Sequence, residues 1–191
     1  EPLTTGLERL TGFVKKVGKP AYISLTWNGE NRFGGGNETK VGLKADGKTL
    51  LDWMNSQQIA LDFSHTSDKL ANDMLNEIET RGYTMPVLAS HSNFRAIVDS
   101  PRNLSDEIAK EIIRKKGIIG LNFLQKFLGS GVHTLKEHII HGLSLGGNDA
   151  ICFGADFFCS DDLKRLGILN LSKYPIGMEN SACYPFIINF L

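Results

Sequence analysis

The sequence predicts an α/β fold with a parallel sheet, on three observations. Short apolar runs alternate with amphipathic stretches along the chain. The runs begin near residues 21, 59, 85, 118 and 150, spaced as βα units of a parallel sheet are. Gly18, Gly82, Gly117 and Gly146 stand where helices should stop. A doubly wound open sheet and a (β/α)8 barrel both give this rhythm. No GxGxxG or P-loop string follows a strand, so the nucleotide-binding open sheet loses its main support.

The elements follow in order. Leu3, Leu7, Leu10, Val14 and Val17 recur at spacings of four and three, which makes one apolar helical face over residues 2–17. Gly18 and Pro20 end it, and residues 21–27 read as a strand. The loop at 28–37 is too glycine-rich for either regular element, and Gly34, Gly35 and Gly36 read as flexibility. Leu50, Leu51, Trp53 and Met54 predict a helix before the strand 59–63. Leu70, Met74 and Ile78 line the next helix, which leads to a strand at 85–89. Ile108, Ile112 and Ile113 mark a helix beginning near Ser105 and Asp106, and the strand 118–123 follows. Leu135, Ile139, Ile140 and Leu143 predict the helix before the strand 150–153. The remainder, with Pro175 and Pro185, reads as irregular.

Composition narrows the function classes. With 191 residues and 41% hydrophobic content, the chain suffices for one buried domain, 1–191, and is short for two. Its 21 Lys+Arg balance 21 Asp+Glu, so no basic field steers it to nucleic acid or anionic lipid. No apolar run approaches the ~20 residues that span a bilayer. Cys152, Cys159 and Cys183 are too scattered for a disulfide framework, which points to a reducing, cytoplasmic setting. The chain starts at Glu1 without a stretch resembling a signal peptide and stops in the apolar run from Tyr184 to Leu191. Either disordered ends have been trimmed or pieces of the fold are missing.

In parallel α/β folds, chemistry gathers at the C-terminal ends of strands. Here those ends carry Trp27-Asn28, His65, His91, Asn122 and Asp156. His65 and His91 follow consecutive strands. Adjacent strands lie ~4.8 Å apart, so both imidazoles could reach one ion at ~2.1 Å. The competing reading makes the hydroxyl-rich segments around them simple caps for the next helices. His138 and His141 form an HxxH, read as a surface or helix–sheet contact, because metal helices usually place histidines four apart. Asp156 ends an apolar strand, where an unpaired carboxylate is costly, so it reads as catalytic or as salt-bridged, with Arg102 the candidate partner. Arg102 by itself reads as a surface guanidinium in a loop. No Gly-x-Ser-x-Gly elbow or cysteine–histidine arrangement supports a nucleophilic hydrolase.

Five segments in register, over roughly residues 3–158, resemble the membrane dipeptidase (renal dipeptidase) family. They are Leu25-Thr-Trp-Asn-Gly-Glu-Asn31, Leu61-Asp-Phe-Ser-His-Thr-Ser-Asp68, Ser90-His-Ser-Asn-Phe-Arg-Ala96, Pro101-Arg-Asn-Leu104 and Phe153-Gly-Ala-Asp-Phe157. The resemblance implies a (β/α)8 TIM barrel of the metal-dependent amidohydrolase type, with two zinc ions, that cleaves dipeptides. By motif, His65 and His91 match the histidines of the second zinc and Arg102 the arginine that binds the substrate's terminal carboxylate. Asp156 matches the aspartate near the substrate amine, thought to shuttle the proton. Trp27 stands where better-known members carry a substrate-contacting histidine, with Asn28 beside it as a further substrate contact. Glu1 falls near the place of the glutamate that bridges both metals.

The departures are specific. No His in this chain is followed two residues later by Asp, as the first zinc site requires, and Phe158-Cys159 replaces the usual Asp-Gly. About five βα units are present where a full barrel needs eight. The expectation is therefore most of a zinc dipeptidase, holding one zinc through its own histidines, without its first strands and last helices. Open sheet edges would then favour self-association into a homo-oligomer. The alternatives are a non-catalytic binding module that keeps the barrel pocket, with Trp27 and Phe158 at its mouth, and an open-sheet hydrolase with one metal.

Overall fold

The computed structural model describes residues 3–159, Arg165 and residues 173–191. Two compact units make up the chain: Glu1–Ala89 with Arg114–Gly117, and Ser90–Ile113 with Ile118–Leu191.

The first unit holds α1 (Leu3–Val17), β1 (Tyr22–Ser24), α2 (Ala45–Gln57), β2 (Ala60–Asp62), α3 (Asp68–Arg81) and β3 (Val87–Ala89). β1 pairs with β2 in parallel through Tyr22↔Ala60 and Ser24↔Asp62, and β2 with β3 through Leu61↔Val87. All three residues of β2 are buried, as a central parallel strand covered on both faces requires. Around it Leu51, Met54, Ile59, Leu61, Phe63, Leu70 and Met74 are almost fully excluded from water and form the core. Local chemistry fixes the helix ends. The Ser67 hydroxyl accepts the Leu70 N–H at 3.0 Å to start α3, and Gly82, at φ 63°, closes it. Trp53 Nε1 donates to Thr11 Oγ1 at 3.0 Å and ties α1 to α2.

The glycine-rich loop is not the flexible segment its composition predicts. Gly34, Gly35 and Gly36 are buried, and a Cβ on Gly36 would collide with the Trp27 carbonyl. The side chains are missing because backbone packs against backbone there.

The second unit holds α4 (Asp106–Arg114, through Ile113), β4 (Ile118–Leu121), α5 (Gln125–Leu128), α6 (Val132–Ser144), β5 (Ile151–Phe153), a 3-10 turn at Ser181–Cys183 and α7 (Tyr184–Phe190). β4 and β5 are parallel, with Ile119↔Ile151 and Leu121↔Phe153. The fold is thus α/β, with five parallel-type strands each leading through a helical connection to the next. The sequence reading does not include α5 and α7. α5 is a single turn, too short for periodicity, and α7 begins at Tyr184 despite Pro185. Proline is tolerated in the first helical turn, where its missing N–H would have no helical partner. Tyr184 packs with Phe123, Phe153 and Phe157 at ring-centroid distances of 5.7–6.2 Å.

The HxxH pair is structural, and His138 lies in the core rather than at the surface. Its side chain is fully buried (0% exposed). Nδ1 accepts the Phe94 N–H at 3.2 Å and Nε2–H donates to the Leu128 carbonyl at 3.1 Å, so one neutral tautomer satisfies both neighbours. His141 Nε2 lies 2.8 Å from Asp106 Oδ1. Among the described residues all three cysteines are free thiols, and no helix is long and apolar enough to cross a membrane.

Burial pushes the pKa of His138 down from 6.5 to about 4. The unfolded chain takes up its proton first as pH falls, so acid favours unfolding. Stability from this residue is complete above pH 6.5 and is lost as pH falls toward 4, by about 3 kcal/mol in all. Urea unfolding at pH 7 and pH 4.5 should show that loss, and His138→Gln, less stable at pH 7, should show a smaller pH dependence than the wild type.

Candidate active site

The candidate residues fall into two sets, one in each unit. In the first, β2 runs out at Asp62 and the chain turns through Phe63–Thr66, closed by the Thr66 N–H on the Phe63 carbonyl at 3.4 Å. His65 takes the third place of that turn at φ 67°, a conformation usually left to glycine. Its carbonyl accepts the Asn37 N–H at 2.9 Å and the Thr26 hydroxyl at 3.3 Å, which hold the strained residue. Asn28 Oδ1 lies 3.0 Å from His65 Nδ1. The Trp27 ring, 72% exposed, stands 6.3 Å from the imidazole. The hydroxyl-rich segment also caps α3 through Ser67, as the capping reading expects.

In the second unit, His91 comes two residues after the end of β3. The segment 90–92 lies so close to the ends of β4 and β5 that a Cβ at Gly120 or Gly154 would strike the Ser90 carbonyl. The Ser92 N–H donates to the Gly120 carbonyl at 2.7 Å, and His91 Nδ1 sits 2.6 Å from Ser90 Oγ. Arg102, read as a surface guanidinium, is only 4% exposed. Nη1 donates to Ser92 Oγ at 2.8 Å and Nη2 to the His91 carbonyl at 2.9 Å, while Phe127 stacks 5.7 Å away. Its loop closes on itself: Asn103 N–H donates to the Ser100 carbonyl and Leu104 N–H to that of Asn93.

Asp156 follows β5 at φ 58°. Its carboxylate accepts from Asn122 Nδ2 at 3.0 Å, and its carbonyl accepts the Tyr174 hydroxyl at 2.5 Å. Burial raises the Tyr174 pKa, so the phenol remains a donor at neutral pH. Sequence reasoning gave no role to Asn122, Tyr174 or Asn93. Asn122 carried a visible signal, a polar residue ending an apolar strand; Tyr174 carried none.

Zinc suits the donors present. Each imidazole has one ring nitrogen at hydrogen-bond distance from a neighbouring side chain, the pattern by which ligating histidines are oriented. Among the described residues no group of three or more His, Cys, Asp or Glu side chains completes a metal site. Glu1, expected to bridge two metals, lies outside the described residues.

Known proteins are similar over most of the chain. The sequence model of the membrane dipeptidase family (peptidase family M19) matches residues 14–188. An uncharacterised protein encoded beside pqqA in Klebsiella pneumoniae is 31% identical over 151 residues, covering 71% of this chain and 54% of its own length. An uncharacterised dipeptidase of Schizosaccharomyces pombe is 28% identical over 164 residues, which are 81% of this chain and 39% of that protein. Among solved structures, a metallopeptidase of Rhodobacter sphaeroides, liganded with a phosphinate mimic of the dipeptide L-Ala-D-Ala, superposes with a TM-score of 0.80 at 26% identity. That alignment covers 97% of this chain and 52% of the other. An amidohydrolase of Pseudomonas aeruginosa gives 0.76 at 26% identity, over 94% and 60%. The chain spans about half the length, or less, of the curated relatives it matches, between 39% and 54%.

The contact at Gly154 gives a direct check. Gly154→Ala should lower the unfolding free energy by about 1–3 kcal/mol, because its methyl group must displace the Ser90 carbonyl. Gly146→Ala, where a Cβ meets nothing within 4 Å, should lose only the cost of a left-handed alanine, about 1–2 kcal/mol. Urea unfolding of both variants measures this, and the Gly154 variant alone should perturb the amide resonances of Ser90–Ser92.

Proposed function

The chain belongs to the membrane dipeptidase family of peptidases, and from that membership we propose that it works in zinc-dependent hydrolysis of dipeptides. The observation that carries the reading is positional. His65, His91 and Asp156 each stand just beyond the C-terminal end of a parallel strand, where α/β folds of this kind do their chemistry.

By the family motifs, His65 in the first unit and His91 in the second would each serve as a zinc ligand. A bound zinc supplies an activated water and polarises the scissile carbonyl. The chain's own side chains do the rest. Arg102, oriented by the Ser92 hydroxyl and the His91 carbonyl, offers a planar guanidinium to the substrate's terminal carboxylate. Asp156 carries the proton: it takes one from the attacking water and delivers it to the leaving amine nitrogen as the C–N bond breaks. Tyr174 and Asn122 keep that carboxylate at its place after β5. In the first unit, Trp27 and Asn28 stand beside His65, and the family motifs give them contacts to substrate.

A non-catalytic module that binds a small ligand is the second reading. The exposed Trp27 beside His65 favours it, since an exposed indole is a ready stacking surface. Metal analysis after zinc loading, with hydrolysis of L-Ala-D-Ala, separates the two. It should be run on this chain and on a version extended to the length of its relatives. Retained zinc and chelator-sensitive cleavage are expected in the extended version. Ligand binding without turnover would favour the module, and neither zinc nor cleavage would overturn the dipeptidase reading.

Variants assign the roles. His65→Ala and His91→Ala should each lower zinc occupancy. Arg102→Lys should raise KM for a dipeptide by about tenfold or more with kcat less affected, because the bidentate fork is lost. Asp156→Asn should lower kcat by about a hundredfold or more.

A further inference from the structure

Asn122 directly follows β4, with its side chain 1% exposed and making three hydrogen bonds. Oδ1 accepts the Leu124 N–H at 2.7 Å, while Nδ2 donates to Asp156 Oδ2 at 3.0 Å and faces the His91 carbonyl at 3.4 Å. Turning the amide over would set its oxygen against two acceptors and its NH2 against a donor. One orientation alone satisfies all three neighbours. The backbone of Asn122 is clamped as well: its N–H donates to Asn93 Oδ1 at 3.0 Å, and its carbonyl accepts Asn93 Nδ2 at 2.9 Å. Asn93 is itself fully buried. The donor that meets Asp156 therefore has no freedom to swing away.

The partner is held with equal care. Asp156 sits in the left-handed region, which an aspartate adopts at a cost. The Tyr174 hydroxyl donates to its carbonyl and accepts the Phe158 N–H at 3.0 Å, closing the backbone around it. Among the described residues, Asn122 is the group that fixes the carboxylate itself.

We propose that Asn122 is a positioning residue that holds the Asp156 carboxylate, through Oδ2, in the orientation from which it moves the proton of the proposed reaction. The inference rests on Asp156 being the proton carrier of that reading. It also accounts for the residue type: an amide accepts from Leu124 through its oxygen and donates to the carboxylate through its nitrogen. Aspartate would place oxygen against oxygen, and serine is too short to bridge both.

Two measurements decide it. The first uses the zinc-loaded protein. Asn122→Asp keeps an acceptor for the Leu124 N–H and loses the donor to Asp156; Asn122→Ala loses both. Each should lower kcat for a dipeptide by about 10–100-fold while KM changes by less than about threefold, since Asn122 makes no hydrogen bond to Arg102 itself and the Arg102 donors to Ser92 and His91 remain. A folded Asn122→Asp with wild-type kcat, or one changed only in KM, overturns the proposal. The second needs no turnover. In 15N spectra the Asn122 side-chain amide should be shifted and slow to exchange, and Asp156→Ala should move it and expose it to exchange. An unchanged amide overturns the proposal. If the wild type cleaves no dipeptide, the functional reading fails, and the spectrum still decides whether Asn122 holds Asp156.

Discussion

The Ser90 carbonyl lies where a side chain on Gly120 or Gly154 would have to be, and the second unit's candidate site depends on that approach. Gly120, next to the last residue of β4, and Gly154, just past β5, let a third segment cross at backbone distance. Once it does, the Ser92 N–H bonds the Gly120 carbonyl and the His91 carbonyl faces inward. Arg102 and Asn122 both use that His91 carbonyl. A single backbone oxygen thereby sets the position of the guanidinium and of the amide that meets Asp156. Buried polar groups of this kind are tolerated because each donor finds an acceptor, and the packing that brings them together is what makes the pairing possible.

Much of this was legible in the chain. Leu70, Met74 and Ile78 at helical spacing, with Ser67 before them and Gly82 after, give α3 almost to the residue, because caps and periodicity are local. His65, His91 and Asp156 could be placed after strands for the same reason. Local signals fail where the partner is remote. Asn93 grips the backbone of Asn122 from 29 positions away, and Tyr174 reaches Asp156 from 18 positions away. Neither spacing leaves a mark on composition or period. The three glycines at 34–36 mislead in the same manner. Their lack of side chains reads as freedom, yet Leu70, Val41 and Trp27 respectively lie within the space a Cβ would need. His138 shows the opposite error, since a titratable residue on an amphipathic helix looks exposed until both its ring nitrogens find backbone partners.

Strain separates the candidate residues from ordinary turns. Gln58, His65, Lys116 and Asp156 are the described non-glycine residues with positive φ. Gln58 follows α2 as its C-cap, and Lys116 comes two residues after α4, places where chains leave a helix and where glycine or asparagine is the usual choice. His65 and Asp156 follow strands instead. Neither terminates a helix, and each costs on the order of 1–3 kcal/mol relative to an unstrained residue. In both, added bonds offset that cost by holding the carbonyl: Asn37 and Thr26 for His65, Tyr174 for Asp156. A glycine would relieve the strain at once, so each of these side chains is held at a backbone cost. For His65 that is an imidazole set beside Asn28 and Trp27; for Asp156 it is a carboxylate delivered to a fixed amide. Among the described residues, a positive φ just after a strand thus falls on two that the family motifs also mark.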